Sequence, residues 1–245
     1  MLFRSTSSSA VFGIPRSNPV LPSTVPSPAE EYGDAKLAAE WACLAAVRDG
    51  LDVSIVRPRT ILGHGRLGIF GILFEWVADG ADIFVLGKGD NRYQFVHADD
   101  LAQVCLLAGN TPGAAVFNAG TDRFGTMRES LESLCAHAGT GSKVRSLPAG
   151  PTAVAMKTAA RLHLAPFAPY HWLMYSKSLW FDIEHVQHGL GWQPRYSNAE
   201  MLADSYDWFL ANRAATSGEG KSHHRTTAKQ GALKVLKAAT RLLPR

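Results

Sequence analysis

Tyr32 and Lys36 are the residues whose types and spacing most readily suggest chemistry. They stand four positions apart near the start of a helical pattern, so the phenol and the ammonium lie one helical turn apart on one face. An ammonium near a tyrosine stabilises the phenolate and so favours proton transfer at neutral pH. The serine-rich stretch at residues 5–9 offers a hydroxyl that could hold a substrate oxygen. A solvent-exposed pair on a helix surface has the same spacing and stays an alternative interpretation.

The helix that carries this pair is predicted from about residue 29 to residue 49, where Gly50 marks its end. A buried strand at residues 52–58 follows, and strands then alternate with helices as far as about residue 140. Such alternation predicts an α/β fold with a parallel sheet. The apolar residues of the first helix are expected to face the core: Leu37, Ala38, Trp41, Ala42 and Leu44.

The later segments predict further elements. Residues 82–97 predict two short strands around a Gly-Asp-Asn turn, and residues 98–109 predict a helix with Asp99 or Asp100 as its N-cap. Beyond about residue 141 the chain is rich in Pro, Ala, Met and aromatic residues, which is typical of helical segments that line a cavity.

The composition is that of a globular protein, with 46% hydrophobic and 19% charged residues. No apolar run approaches the roughly 20 residues of a transmembrane helix. The three cysteines are far apart and odd in number, which predicts free thiols, no metal site and a cytoplasmic location. Of the net charge of +4, the basic excess lies after residue 220, so we expect no binding of nucleic acid by the folded part.

Five segments follow one another along the chain in this order: SSSAVFG, YGDAK, VRPRTILGHG, FVHADDLA and LGWQP. Together they resemble the extended short-chain dehydrogenase/reductase family, in its NAD-dependent epimerase/dehydratase branch. The resemblance runs from about residue 3 to about residue 213. It implies the C-terminal part of a Rossmann-like parallel sheet (residues 1–140) and a smaller, mostly helical substrate-binding lobe (residues 141–213). A flexible linker and a basic amphipathic tail are expected over residues 214–245.

In that family a Ser or Thr, a Tyr and a Lys form the catalytic group. The match places the serine at Ser8, with Ser7 and Ser9 as near alternatives, and places the others at Tyr32 and Lys36. The resemblance implies that Tyr32 exchanges a proton with a substrate hydroxyl or ketone and that Ser8 holds the reacting oxygen. Lys36 would bind the nicotinamide ribose and favour the phenolate. NAD or NADP would exchange a hydride at that carbon.

The segment RPRT is similar to the family segment that lines the nicotinamide and the inner substrate pocket. The implied cofactor-binding residues are Tyr32, Lys36, Pro58 and Arg59. The implied substrate-binding residues are Ser9, Thr60 and Arg92. At position 60 the family often has Asn or Ser, where this chain has Thr.

The Arg92 assignment has an alternative. Related sugar-nucleotide enzymes often carry an Arg four residues before the residue that matches His97, where it contacts the diphosphate. Here Tyr93 holds that place and Arg92 stands one residue earlier. Arg92 therefore either binds a diphosphate, as a guanidinium fork can, or is a plain surface residue, and the shift leaves room for a more apolar substrate. His97 is expected to be structural.

The family begins with a glycine-rich unit that binds the dinucleotide pyrophosphate, and this chain has only MLFR before Ser5. On this comparison a front part on the order of 100 residues is absent, and we expect activity of a full-length protein rather than of these residues alone. The internal segment GHGRLG, residues 63–68, fits a dinucleotide fingerprint. We interpret it instead as the family's turn beside the substrate, because the strand before it ends in RPR.

These features predict an NAD(P)-dependent epimerase/dehydratase-like enzyme for a small molecule, with a nucleotide-linked sugar as the expected substrate. One alternative is a ketone/alcohol reductase of the hydroxysteroid and flavonol type. Another is a truncated remnant without catalysis. A homodimer and a weak contact of the basic tail with a membrane surface are further expectations.

Overall fold

The computed structural model describes residues 2–161 and 177–216. Its strands are β1 (Leu2–Thr6), β2 (Asp52–Pro58), β3 (Thr60–Leu62), β4 (Ile83–Leu86), β5 (Phe95–His97), β6 (Ala115–Ala119) and β7 (Val144–Leu147). Its α-helices are α1 (Glu31–Arg48), α2 (Phe70–Ala78), α3 (Ala98–Asn110), α4 (Met127–Ala138), α5 (Ala149–Arg161), α6 (Glu184–Leu190), α7 (Asn198–Ala211) and α8 (Arg213–Thr216). A short 3₁₀ helix spans Ser9–Phe12. The α/β class predicted from the sequence is confirmed.

The described residues form two units, each built from separate stretches of chain. The first unit comprises residues 2–61, 92–124 and 178–198, and the second comprises residues 62–91, 125–161, 177 and 199–216. Every residue predicted to form the site belongs to the first unit. The domain boundaries near residues 140 and 213 stay a prediction, and the tail beyond residue 216 lies outside the described residues.

A three-stranded parallel sheet in the order β1–β2–β6 forms the centre of the first unit. The middle strand, β2, is buried at every position but its first, as expected for a parallel strand that is covered on both faces. Thr6 pairs with Val56, and Pro58 pairs with Ala119. The carboxyl ends of the three strands therefore meet at one edge, where open parallel sheets bind their ligands.

The two short strands expected over residues 82–97 are present, but they pair with different partners. β4 runs parallel to β7, with Ile83 opposite Val144, whereas β5 pairs with β3. Gly87 and Gly89 follow β4 with φ of 63° and 72°, conformations that redirect the chain and that favour glycine. The segment therefore passes from the second unit to the first instead of closing a hairpin.

The buried face of α1 differs from the one that its apolar residues predict. Gly33, Leu37 and Glu40 are the buried residues of this helix, and their spacing of four and three places them on one side. Trp41 is 63% exposed and Leu44 is 40% exposed. The exposed positions that we expected in the core are Ala38, Trp41, Ala42 and Leu44. That expectation is wrong because α1 turns the carboxylate of Glu40, and not the indole of Trp41, toward the sheet.

A buried ion pair explains this orientation. Arg57 of β2 donates from Nε to Oε1 of Glu40 at 2.8 Å and from Nη2 to Oε2 at 2.6 Å, the bidentate geometry of a strong pair. Its Nη1 donates to the Pro22 carbonyl at 3.0 Å, and its guanidinium lies 5.0 Å from the centre of the Phe12 ring. One side chain thus connects β2 with α1, the 3₁₀ helix and the loop between them.

The N-cap of α3 is His97, so the expectation of Asp99 or Asp100 is wrong. The Nδ1 of His97 accepts a hydrogen bond from the Asp99 amide at 3.2 Å. The carboxylate of Asp100 is buried and accepts from the amide and from Nε of Arg195, both at 3.0 Å. The ring of His97 stacks on Tyr196 at 3.9 Å. Both side chains therefore hold α3 against the segment that precedes α7.

Within residues 2–161 and 177–216, no helix is long and apolar enough to cross a bilayer. The same residues contain no group of three His, Cys, Asp or Glu side chains that could hold a metal ion. The three cysteines are free and half-buried. Burial, followed by the charges of Asp82 and Glu132, raises the pKa of Cys135 to about 11, so this thiol stays protonated and unreactive at neutral pH.

We expect Glu40→Gln to lower the free energy of unfolding by about 3–5 kcal/mol, because it leaves the buried Arg57 charge without its counter-ion. Urea unfolding measures the change. Asp34→Asn removes an exposed carboxylate from the same helix and should cost less than about 1 kcal/mol. A Glu40→Gln protein as stable as the Asp34→Asn control would show that the pair does not hold α1 in place.

Candidate active site

Ser8 lies just beyond the carboxyl end of β1. The Ser7 amide donates to the Val56 carbonyl at 2.8 Å and so extends the β1–β2 ladder by one residue. The chain then turns, and the Oγ of Ser8 accepts from the Ala10 amide at 3.2 Å and caps the 3₁₀ helix. Ser7 and Ser9 are buried at 5% and 4% exposure, whereas Ser8 is half-buried. This difference in exposure favours Ser8 over both alternatives as the serine that meets a substrate.

Tyr32 and Lys36 occupy the first two turns of α1. The Nζ of Lys36 lies 5.9 Å from the centre of the Tyr32 ring and donates to the carbonyl of Thr6 at 3.0 Å. Thr6 is the last residue of β1 and stands two residues before Ser8. Lys36 therefore brings the pair to the same sheet edge as the serine. Tyr32 is 54% exposed, so this residue is accessible to a ligand.

Gly33 sets how closely α1 approaches the 3₁₀ helix. A Cβ at this position would lie 2.6 Å from the Ala10 carbonyl oxygen and 2.8 Å from the Cβ of Pro28. Only a residue without a side chain permits this approach, because Cβ atoms essentially never come that close to a carbonyl oxygen. Gly33 follows Tyr32 directly, and Ala10 belongs to the helix that Ser8 caps. The glycine thus places the tyrosine turn beside the serine turn.

Pro58 ends β2 and Arg59 follows it at the same edge, but both are buried. The Arg59 amide donates to the Ala119 carbonyl at 2.9 Å. Its guanidinium donates from Nη1 to the Oγ of Ser9 at 2.8 Å. The structure therefore brings together two predicted site residues, Ser9 from the substrate set and Arg59 from the cofactor set, as direct partners.

Thr60 and Tyr93 are joined by a hydrogen bond of 2.9 Å between Oγ1 and the phenol oxygen. Thr60 is half-buried, and Tyr93 is 5% exposed. Tyr93 is the residue that stands where related sugar-nucleotide enzymes often have Arg. The two positions that the resemblance links to substrate contacts thus also contact each other.

Arg92 is exposed, and its guanidinium contacts two aromatic rings that also contact each other, with their centres 6.2 Å apart. Its guanidinium carbon lies 4.9 Å from the centre of the Phe124 ring and 4.7 Å from the centre of the Trp180 ring. The Arg92 amide donates to the Oγ of Ser178, and its carbonyl accepts from the Leu179 amide, so the backbone of this residue is fixed. These cation–π contacts restrain the guanidinium without using its N–H groups, which stay available for an anion.

The glycine-rich loop at residues 63–68 is anchored within the second unit. The Gly63 amide donates to the Oγ of Ser205 at 2.9 Å, and the Nε2 of His64 lies 3.1 Å from Oδ1 of Asp204. Both partners belong to α7. Because the first glycine amide already has an acceptor, these contacts favour the turn interpretation over a phosphate-binding loop.

Positive charge predominates at the predicted site residues of the first unit. In the part of the chain that the structure describes, no carboxylate forms an ion pair with Lys36, Arg59 or Arg92. Arg57, by contrast, is fully paired with Glu40. Cations without a carboxylate partner favour anionic ligands such as phosphates.

Sequence analysis missed three residues that shape this region: Gly33, Glu40 and Phe124. A carboxylate at helical spacing from Leu37 was the available signal for Glu40, since an acid on an apolar face needs a buried partner. For Gly33 the signal was a glycine inside a predicted helix, which has a packing reason when it is retained. No sequence pattern indicated Phe124, because it is distant from Arg92 in the sequence and contacts it only in the folded protein.

Comparison with known sequences identifies relatives. Residues 2–120 match the model of the NAD dependent epimerase/dehydratase family. The uncharacterized protein y4nG of Sinorhizobium fredii is 55% identical over 240 residues, which are 98% of this chain and 61% of that protein. The dTDP-glucose 4,6-dehydratase of Streptomyces niveus is 28% identical over 195 residues, 77% of this chain and 51% of that protein. This chain therefore spans only 61% and 51% of the lengths of these two relatives.

Solved structures share the fold. The UDP-glucuronic acid 4-epimerase of Bacillus cereus in complex with NAD has a TM-score of 0.67 at 21% identity, over 86% of this chain and 61% of that one. The protein RMD of Pseudomonas aeruginosa complexed with NADPH has a TM-score of 0.65 at 19% identity, over 86% of this chain and 66% of that one. These similarities confirm the Rossmann-like fold that the five motifs imply.

We expect Gly33→Ala to destabilise the protein by about 1–3 kcal/mol, because the added methyl group must push α1 away from the 3₁₀ helix. Gly109→Ala in α3 is the matched control, since nothing lies within 4 Å of a Cβ there. That control should stabilise its helix by up to about 1 kcal/mol. Urea unfolding of both variants tests the expected opposite signs, and a neutral Gly33→Ala would mean that the close approach is not required.

Proposed function

Because residues 2–120 match the model of the NAD dependent epimerase/dehydratase family, we propose that the full-length protein is an NAD(P)-dependent oxidoreductase of that type. It would act on a hydroxyl or ketone carbon of a nucleotide-linked sugar. The observation that supports the proposal is the contact of Lys36, which lies 5.9 Å from the Tyr32 ring centre, with the carbonyl of Thr6, two residues before Ser8. A phenol, an ammonium and a hydroxyl at one sheet edge form a proton-transfer group.

In this proposal the exposed phenol of Tyr32 gives the proton to the substrate oxygen or takes it away. Ser8 donates a hydrogen bond to the same oxygen and fixes its position. The free N–H groups of Lys36 bind ribose hydroxyls, while its charge favours the phenolate. Lys36 fits this role because one of its donors binds the Thr6 carbonyl and no carboxylate in the described residues neutralises it. NAD(P), when bound, accepts or returns the hydride.

The nucleotide-sugar substrate is supported by Arg92. Its guanidinium is exposed, forms no ion pair in the described residues and lies near the rings of Phe124 and Trp180. An arginine fork of this kind suits the oxygens of a diphosphate, and the rings beside it offer faces for a base or a sugar. The names of the relatives point the same way, since they include a dTDP-glucose dehydratase.

A second candidate is a ketone/alcohol reductase for an apolar substrate. It is favoured by the Thr60–Tyr93 hydrogen bond, which places a phenol where many sugar-nucleotide enzymes have Arg. Assays of the full-length protein separate the two functions if its activity on UDP-glucose and dTDP-glucose is compared with its activity on a steroid ketone and a dihydroflavonol. A full-length protein that binds no NAD(P) would instead support a remnant without catalysis.

A cytoplasmic location, a homodimer and a tail contact with membranes stay predictions from the sequence.

Tyr32→Phe in the full-length protein should lower turnover by about a hundredfold or more, because it removes the group that moves the proton. Its affinity for NAD(P) should stay close to that of the wild type. Lys36→Met should weaken cofactor affinity and turnover together. Chromatography of the substrate and product measures turnover, because the cofactor is regenerated in each cycle, and fluorescence titration measures affinity.

Two results of this experiment would contradict the assignment. Turnover by Tyr32→Phe within a few-fold of the wild type would exclude Tyr32 as the acid/base. Cofactor affinity unchanged in Lys36→Met would exclude Lys36 from the ribose site. Arg48→Met, a charge removal at the exposed end of the same helix, is the control and should change neither quantity.

A further inference from the structure

Two arginines at the end of β2 are buried almost equally but are satisfied very differently. Arg57 is 4% exposed and Arg59 is 1% exposed. All three nitrogens of Arg57 have acceptors, two on the Glu40 carboxylate and one on the Pro22 carbonyl. Arg57 therefore shows what a structural buried arginine needs in this fold.

Arg59 lacks most of these partners. Its Nη1 donates to Ser9, but its Nε and Nη2 are buried with no hydrogen-bond acceptor among the described residues. No carboxylate in those residues forms an ion pair with it. Its guanidinium lies 4.7 Å from the centre of the Tyr93 ring and 5.7 Å from that of Phe181. Cation–π contacts recover only part of what burial of an unpaired cation costs.

The position of this unpaired charge indicates what it is for. Arg59 is the first residue after β2, at the sheet edge where the fold places ligands. Its partner Ser9 is the immediate neighbour of Ser8. A buried donor that lacks an acceptor in a native protein needs an explanation, and a ligand at a binding edge supplies one.

We infer that Arg59 is a specificity-determining residue that binds an oxyanion of the substrate, a carboxylate or a phosphate, through Nε and Nη2. These two N–H groups form one edge of the guanidinium fork and match two oxygens of such an anion. The inference rests on the proposed function, because it places the anion next to the proposed catalytic serine. It gives the substrate a second anionic contact, separate from the exposed Arg92.

The unpartnered donors of Arg59 are covered by neighbouring side chains. Nε and Nη2 are shielded from solvent, and the ring of Tyr93 lies over the guanidinium while its hydroxyl bonds Thr60. An anion therefore reaches Arg59 only when a covering side chain such as Tyr93 shifts. Binding should therefore be selective for ligands that displace this cover. A higher concentration of simple salt should not displace it.

The experiment measures the melting temperature of the protein with inorganic phosphate or acetate, at an ionic strength held constant with sodium chloride. The wild type should melt about 5 °C or more higher at saturating concentrations of the favoured anion. A response to phosphate identifies a phosphate ligand, and a response to acetate identifies a carboxylate. Isothermal titration of the wild type gives the same answer without any variant.

Arg59→Met keeps the apolar stem and removes the charge. It should melt no lower than the wild type without anion, and the anion affinity should fall at least tenfold. Arg92→Met should retain the response, because its exposed charge lies beside Phe124 and Trp180. Neither measurement needs cofactor or turnover, so failure here leaves the role of Tyr32 to its own test.

Three outcomes would overturn the inference. The first is a wild type that shows neither a melting shift nor saturable heat with either anion. The second is an Arg59→Met protein that retains the full anion response. The third is an Arg59→Met protein that melts well below the wild type in the absence of anion, which would make Arg59 a structural arginine like Arg57.

Discussion

The ion pair between Glu40 and Arg57 is the contact on which the other positions in the first unit depend. Removing both charges from water is unfavourable, and only the bidentate geometry together with the Pro22 carbonyl offsets that cost. The pair therefore tolerates little sliding or rotation of α1 on the sheet. A well-packed apolar pair of the same size would stabilise the fold as well. The distinct contribution of the ion pair is therefore the geometry that it enforces.

This constraint reaches the candidate active site along one stripe of the helix. Tyr32, Lys36 and Glu40 follow one another at intervals of four, so each is turned only about 40° from the next. The stripe passes from the fully buried Glu40 through the half-buried Lys36 to the exposed Tyr32. A carboxylate fixed in the core thus orients a phenol at the surface, and Gly33 brings that phenol close to the serine turn.

The sequence predicted the elements well because their signals are local. The Tyr-x-x-x-Lys spacing, the buried β2 and the alternation of strands and helices each depend on neighbours in the chain. The orientation of α1 could not be predicted in this way, since Trp41 and Leu44 outweigh Glu40 in any apolar count and only Arg57, seventeen residues away, reverses the choice. The prediction of the N-cap of α3 was wrong for the same reason, because the Asp100 carboxylate binds Arg195, which is distant in the sequence.

The central claim is that Tyr32 and Ser8 act on one substrate oxygen while Lys36 binds the cofactor ribose, and a crystal structure of the full-length protein with NAD(P) and substrate bound tests it most directly. The account predicts the hydroxyls of Tyr32 and Ser8 within about 3.2 Å of the same substrate oxygen, with Lys36 on the ribose. A Tyr32 hydroxyl directed to solvent, or a substrate oxygen held by groups other than Ser8, would contradict it.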